Sequence, residues 1–325
     1  MKYLIILLVT IAIGAVVYYA YYQYRYSYSY EANDFNGGFD AFYADKLAKS
    51  KALNVRPGNE EKLIRFSEGK TPIAFLYIHG FSASRTEGEY VVDSLANKYK
   101  ANTYYLRLPG HGTNQDDHAA ASYVDYLNEA EEAIRMMQDL GDRVVVIATS
   151  MGGMLGTYLA ATYPDMVDGL ILASPFYDYT HVAGAALKLP GVINLVNLVD
   201  GPQRPVEYDK SFNERVQPGY FDYWYKEQKY MALQSLEELR RFISGQKLYE
   251  KVQCPVLMLY YYKDKDNQDE AASVDAMLKA YNAFSSPNKT KVAIADGTHV
   301  LMSAYMQTDK ASILNACSKF IEMAK

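Results

Sequence analysis

From residue 73 to the C-terminus, short apolar runs alternate with longer stretches in which apolar residues recur every three or four positions. The runs at 73–78, 103–108, 144–148, 169–173, 256–260 and 292–295 read as strands. Helical spacing is predicted over 86–100, 123–140, 152–163, 274–284 and 308–323. Within 123–140, for example, Tyr126, Leu127, Ala130, Ile134 and Met137 fall on one face. The strands are continuously apolar rather than alternating, which marks a parallel sheet covered on both faces by helices.

The alternation breaks between Ser174 and Cys254. This stretch carries Pro, Gly and many aromatic residues and turns helical over 233–243. An insertion spanning 175–253 is therefore expected over the carboxyl edge of the sheet, where open α/β sheets bind ligands. At the other end, residues 3–24 contain no charged side chain. About 20 apolar residues suffice to cross a bilayer. Residues 1–25 read as a single-pass anchor in preference to a cleaved signal, being long and lacking a small-residue cleavage site. Lys2 precedes the run, and Arg25, Glu31 and Asp34 follow it. That charge pattern puts the N-terminus inside and the remainder on the non-cytoplasmic side. Residues 26–54 are expected to hold a polar linker (27–38) and a lead-in helix (39–51), leaving 55–325 as the globular domain.

Composition sharpens this picture in a few places. The chain has 325 residues, 50% hydrophobic and 22% charged, enough for one large core and an insertion. Its formal charge of −5 is spread without a basic block, so a nucleic-acid partner is not expected. Cys254 and Cys317 cannot build a disulfide framework, and Cys317 shares a face with Ile313, Phe320 and Ile321 as a core residue does. Many of the 32 tyrosines lie near the N-terminus, over 18–30. Tyrosine favours the membrane–water boundary. No His/Cys/Asp cluster has ligand spacing, so no metal or other cofactor is expected.

The candidate chemistry begins at Ser150. Residues 144–153 read as a strand, a sharp turn and a helix start, with small residues two places either side of the serine, Ala148 and Gly152. Such a turn exposes a hydroxyl at the sheet edge, and the helix end that follows presents free N–H groups and a positive dipole. A serine needs a base to become nucleophilic. Among the five histidines, only His299 follows the last strand, on the loop 294–299. His79 and His111 lie on early loops and read as structural. The acid belongs after the strand at 256–260. Asp269, before two alanines and a serine, is preferred, and Asp264 stays open as the alternative. His79, Gly80 and Phe81 follow the first strand of the sheet, on a loop at the same edge as Ser150.

The motifs His79-Gly80-Phe81, Pro109-Gly110-His111-Gly112 and Ser150-Met151-Gly152-Gly153, with Asp269 and His299, occur in one order along the chain. In this the sequence resembles the α/β-hydrolase superfamily, in its carboxylesterase and monoglyceride-lipase-like branch, from about residue 71 onward. Ala148 departs from the usual glycine of the elbow, and the acidic loop before Asp269 is long. The resemblance implies the α/β-hydrolase fold with a helical lid. It also implies a serine hydrolase that cleaves a small acyl ester through an acyl-enzyme. Ser150, His299 and Asp269 would be catalytic, and Phe81 and Met151 would bind the oxyanion. Phe176, Tyr177, Tyr179, Phe221, Tyr223 and Trp224 either line an acyl pocket or form the core of the insertion. The competing expectations are a thioesterase or amidase on the same fold and a membrane-tethered binding module without catalysis.

Overall fold

The computed structural model describes residues 2–25, 28–30, 35, 37–204 and 210–323. The chain forms two compact units, 1–32 and 33–325.

The first unit is the helix α1 (Lys2–Arg25). Its segment Lys2–Ala20 has a mean hydropathy of 2.4, and none of it is buried. By length and composition it suits a membrane span, and a signal sequence passes the same test. Half of the linker expected over 27–38 lies outside the described residues, Glu31 and Asp34 among them.

The second unit opens with α2 (Gly38–Ala52), the lead-in helix, and β1 (Lys62–Ile64). Then come β2 (Ala74–Ile78), α3 (Glu89–Tyr99), β3 (Asn102–Leu106), α4 (Gln115–Ala120), α5 (Tyr123–Met136), β4 (Val144–Thr149), α6 (Met151–Thr162) and β5 (Gly169–Ala173). The chain next leaves the sheet for α7 (Val182–Ala186), α8 (Val192–Val199), β6 (Gln203–Arg204), α9 (Lys210–Arg215), β7 (Gln228–Lys229) and α10 (Ala232–Gly245). It returns through β8 (Val256–Asp264), β9 (Asn267–Gln268), α11 (Val274–Ala283), β10 (Lys289–Ile294) and α12 (Lys310–Met323).

The main sheet has eight strands in the order β1-β3-β2-β4-β5-β8-β10, with β9 folded back on β8. All the pairings from β3 across to β10 are parallel; β1 on β3 and β9 on β8 are antiparallel. Strands β2 to β5 are buried along their whole length, which is why the sequence shows them as unbroken apolar runs. On one face Phe75, Tyr77, Val145, Ile147, Ile171 and Leu257 pack against α3 and α12 through Val91, Leu95, Ile313, Cys317 and Phe320. Cys317 is thus a core residue, as its helical position predicts. The elements between β5 and β8 occupy the place of the expected insertion, with β6 and β7 forming a ribbon of their own.

Candidate active site

Ser150 stands alone between β4 and α6, at φ 52° and ψ −118°. L-residues rarely adopt such a positive φ, and one persists only where the surroundings fix it. Here the Ser150 N–H donates to the Ala173 carbonyl at 3.1 Å, and its own carbonyl accepts from Gly153 and Phe176 at 2.9 Å each. The small residue after the turn has a definite cause. A Cβ on Gly152 would lie 2.3 Å from the Ile78 carbonyl oxygen and 2.6 Å from that of His79.

The Ser150 Oγ lies 2.9 Å from His299 Nε2. On the other side of the ring, His299 Nδ1 lies 2.8 and 3.0 Å from the two carboxylate oxygens of Asp269. A carboxylate only accepts, so Nδ1 carries the proton and Nε2 is left to accept from the serine hydroxyl. Asp269 is fully buried. The N–H groups of Ala271 and Ala272 donate to its Oδ1 at 3.0 and 2.8 Å, and its own N–H donates to the Tyr261 carbonyl. Asp264, the alternative acid, is instead used up in its own turn, where the Asp266 and Asn267 N–H groups donate to its Oδ1. Burial works against a charged His299, but Asp269 outweighs it by charge and hydrogen bond, with Glu87 adding to the effect, and the imidazole pKa is raised above its usual 6.5.

The loop after β2 closes over the serine. A Cβ on Gly80 would lie 2.9 Å from the Ser150 Cβ. Neither the Phe81 nor the Met151 N–H has a hydrogen-bond acceptor among the described residues. Two histidines brace the loop. His79 Nδ1 donates to the Gly80 carbonyl at 2.9 Å, while its Nε2 accepts from Leu108. His111 Nδ1 donates to the Pro109 carbonyl, and its Nε2 accepts from the Ser82 N–H at 3.1 Å. Both rings are thereby fixed as neutral tautomers. Burial pushes His79 down to about 4 and His111 well below its usual value. His118 completes a buried ring cluster, 4.6 Å from His111 and 4.5 Å from Phe81. His181 sits on the surface of the insertion.

The insertion grips every loop of this site. The Tyr225 N–H donates to the Ser82 carbonyl, Gln228 Nε2 to Ser82 Oγ, and the Tyr225 hydroxyl to the Gly110 carbonyl. Thr180 Oγ1 donates to the Asp269 carbonyl, and Gln217 N–H to that of Tyr305. Of the aromatic residues singled out in the sequence, Phe176 lies against the serine backbone, edge-on to Tyr179. Tyr177 bonds Thr157 of α6. Trp224 stacks on Tyr220 in a cluster with Phe212, Val300 and Met306, flanked by Phe221 and Tyr223. This last group is interior packing.

Glu87 also borders the site through the Gly80 N–H, and sequence reasoning passes over it. Glu87 falls at the start of a stretch with helical spacing, and nothing in the pattern singles out its carboxyl.

The family model described as the alpha/beta hydrolase family matches residues 75–308. The thermostable monoacylglycerol lipase of Bacillus sp. (strain H-257) is 24% identical over 240 residues, covering 73% of this chain and 86% of the relative. A solved structure of the metagenome-derived lipolytic enzymes LipS and LipT superposes with a TM-score of 0.68 at 22% identity, covering 83% of this chain and 99% of its own. A soluble variant of monoglyceride lipase from Saccharomyces cerevisiae gives 0.63 at 13% identity, covering 82% and 92%. With the family model spanning well over half of its length, the chain belongs to the alpha/beta hydrolase family, as a lipase- and esterase-like member.

Proposed function

We propose that the chain is a serine hydrolase that cleaves carboxylic esters through an acyl-enzyme. The observation that carries this reading is the unbroken relay from the Ser150 hydroxyl through His299 to a buried Asp269. In the proposed reaction His299 Nε2 takes the Ser150 proton as Oγ attacks the ester carbonyl. The oxyanion is received by the Phe81 and Met151 N–H groups. His299 then returns the proton to the departing alcohol, leaving the acyl group on Ser150, and repeats the cycle with water. Asp269 keeps the ring in the productive tautomer and stabilises its cation.

For the substrate, the proposal is a lipid-derived ester such as a monoacylglycerol, with 175–253 acting as a lid and α1 tethering the protein to a membrane. Support comes from the lipase relatives, from the apolar α1, and from Leu189, Leu195, Leu198 and Val199, which stand exposed on the insertion.

The test is labelling by a fluorophosphonate probe together with turnover of matched acyl esters, thioesters and amides. Wild type should label and prefer the ester, and Ser150→Ala should lose labelling and about 10³-fold or more of turnover. Labelling that survives Ser150→Ala refutes the nucleophile, and release of the full chain by an alkaline carbonate wash refutes the tether.

A further inference from the structure

Gly80 is wedged between two side chains. The point where its Cβ would be lies 2.9 Å from the Ser150 Cβ and 3.1 Å from each carboxylate oxygen of Glu87. The Gly80 N–H donates to Glu87 Oε2 at 2.5 Å. Glu87 is only 2% exposed. It enters the interior from the short turn Arg85–Glu87, beside Tyr77 of β2. The Tyr77 hydroxyl lies 3.1 Å from Thr149 Oγ1, on the residue before Ser150. Room for that tyrosine is made by the next glycine, since a Cβ on Gly88 would lie 2.1 Å from the Tyr77 ring.

Burying a carboxyl is costly unless something compensates it. No lysine or arginine pairs with Glu87 among the described residues. Its direct backbone partner is the amide at the start of the loop that covers Ser150. Glycine has no side chain to hold its own backbone, and here both of its peptide groups are held from outside. Glu87 takes the Gly80 N–H, and His79 Nδ1 takes the Gly80 carbonyl. In a trans peptide the C=O and N–H point in opposite directions. Fixing the Gly80 carbonyl toward His79 therefore aims the Phe81 N–H the other way.

We infer that Glu87 is a positioning residue for the ester hydrolysis proposed above: with His79 on the Gly80 carbonyl, its hold on the Gly80 N–H fixes both peptide groups of Gly80, the second of which carries the Phe81 N–H, and its charge supports the cationic form of His299. The inference rests on that reading of Ser150 and His299. The groups facing Glu87 are the Gly80 N–H from its loop, the Tyr77 hydroxyl from β2 and His299 from the last loop; Glu89 bears on Tyr77 from α3. Burial pushes the Glu87 carboxyl up to about 7, while the Gly80 N–H, the His299 charge and the Tyr77 hydroxyl pull it down. On His299 the Glu87 charge acts in the same direction as that of Asp269.

The experiment compares the full chain in detergent with Glu87→Gln and Glu87→Asp. Fluorophosphonate labelling of wild type, absent in Ser150→Ala, is established first, and without it the ester-hydrolase reading fails rather than this inference. Glu87→Gln should keep its KM within about twofold and lose about 10- to 100-fold in kcat. The acid limb of its kcat/KM profile should move to lower pH, because the imidazolium loses a stabilising charge. Glu87→Asp keeps the charge but falls short of Gly80, so its kcat should drop while the limb stays in place. Wild-type kcat in both variants overturns the inference, and so does a lowered kcat in Glu87→Gln with an unmoved limb. If Glu87→Gln fails to fold, Glu87→Asp decides alone: reduced kcat at an unmoved limb supports the inference, and unchanged kcat overturns it.

Discussion

His299 sets the pH dependence of the proposed reaction, because only its neutral form can take the Ser150 proton. Burial lowers its pKa, but the Asp269 charge and hydrogen bond raise it further, and the outcome lies above 6.5. The acid limb of kcat/KM is therefore expected above pH 6.5, with activity falling as pH drops through it. Asp269→Asn should carry this limb to lower pH and reduce kcat by about 10³- to 10⁴-fold. Asp264→Asn should leave both unmoved, and a pH–rate profile of the two variants checks the pair. Sequence alone leaves these aspartates unresolved for a physical reason. Strand β8 runs on to Asp264 and turns back through β9, so the Asp269 N–H docks on the Tyr261 carbonyl. An acidic stretch with alternating lysines reads as a solvated loop whether or not it doubles back. The serine and histidine were legible because each follows an apolar strand. Glu87 was not, because its role comes from a contact seven residues back along the chain.

At the scale of elements, α2 is built into the hydrolase unit. Phe42 is fully buried, with Phe39 and Tyr104 packed edge-on at 5.6 and 5.5 Å. Lys46 is buried between Glu129 and Glu132 of α5. The Ser50 hydroxyl donates to Glu61, which also takes Arg107, and Arg107 Nη1 donates to the His111 carbonyl. The helix thus reaches the braces of the candidate site. Phe42→Ala is expected to cost about 3–5 kcal/mol of stability, read from a denaturant midpoint. A change under about 1 kcal/mol would mean that α2 is only a spacer. The buried strands could be read from the sequence because both of their faces are covered. Strand β1 escaped because its three residues are only half-buried, and the first part of β10 because Thr290 and Lys291 face solvent at the sheet edge. Only the later part of β10 carries the apolar signal.

For the whole molecule, the buried imidazoles should govern behaviour in acid. Burial holds His79 at about 4, His118 at about 3 and His111 well below 6.5. Unfolded histidines titrate near 6.5. As pH falls from 6.5 toward 4, the unfolded chain takes up protons that the folded one refuses, and stability is lost. Glu87 and Glu129 oppose this, since burial raises their pKa values and their protonation favours the fold over part of the same window. His299, with its raised pKa, opposes it too but mostly above this window, and the large downward shifts of the three buried imidazoles prevail, so the melting temperature should be lower at pH 4.5 than at 6.5. His118→Phe should lessen that drop, because neither His118 nitrogen has a partner among the described residues; a melting temperature that holds steady on acidification would contradict the expectation. The hydrogen bonds from Tyr225 and Gln228 to Ser82 have a consequence for redesign. Exchanging the 175–253 insertion for another, to alter the proposed acyl preference, would also replace the clasp on the loop it holds. A chimera could then accept a new chain length and still turn over slowly, unless residues 225 and 228 travelled with the graft.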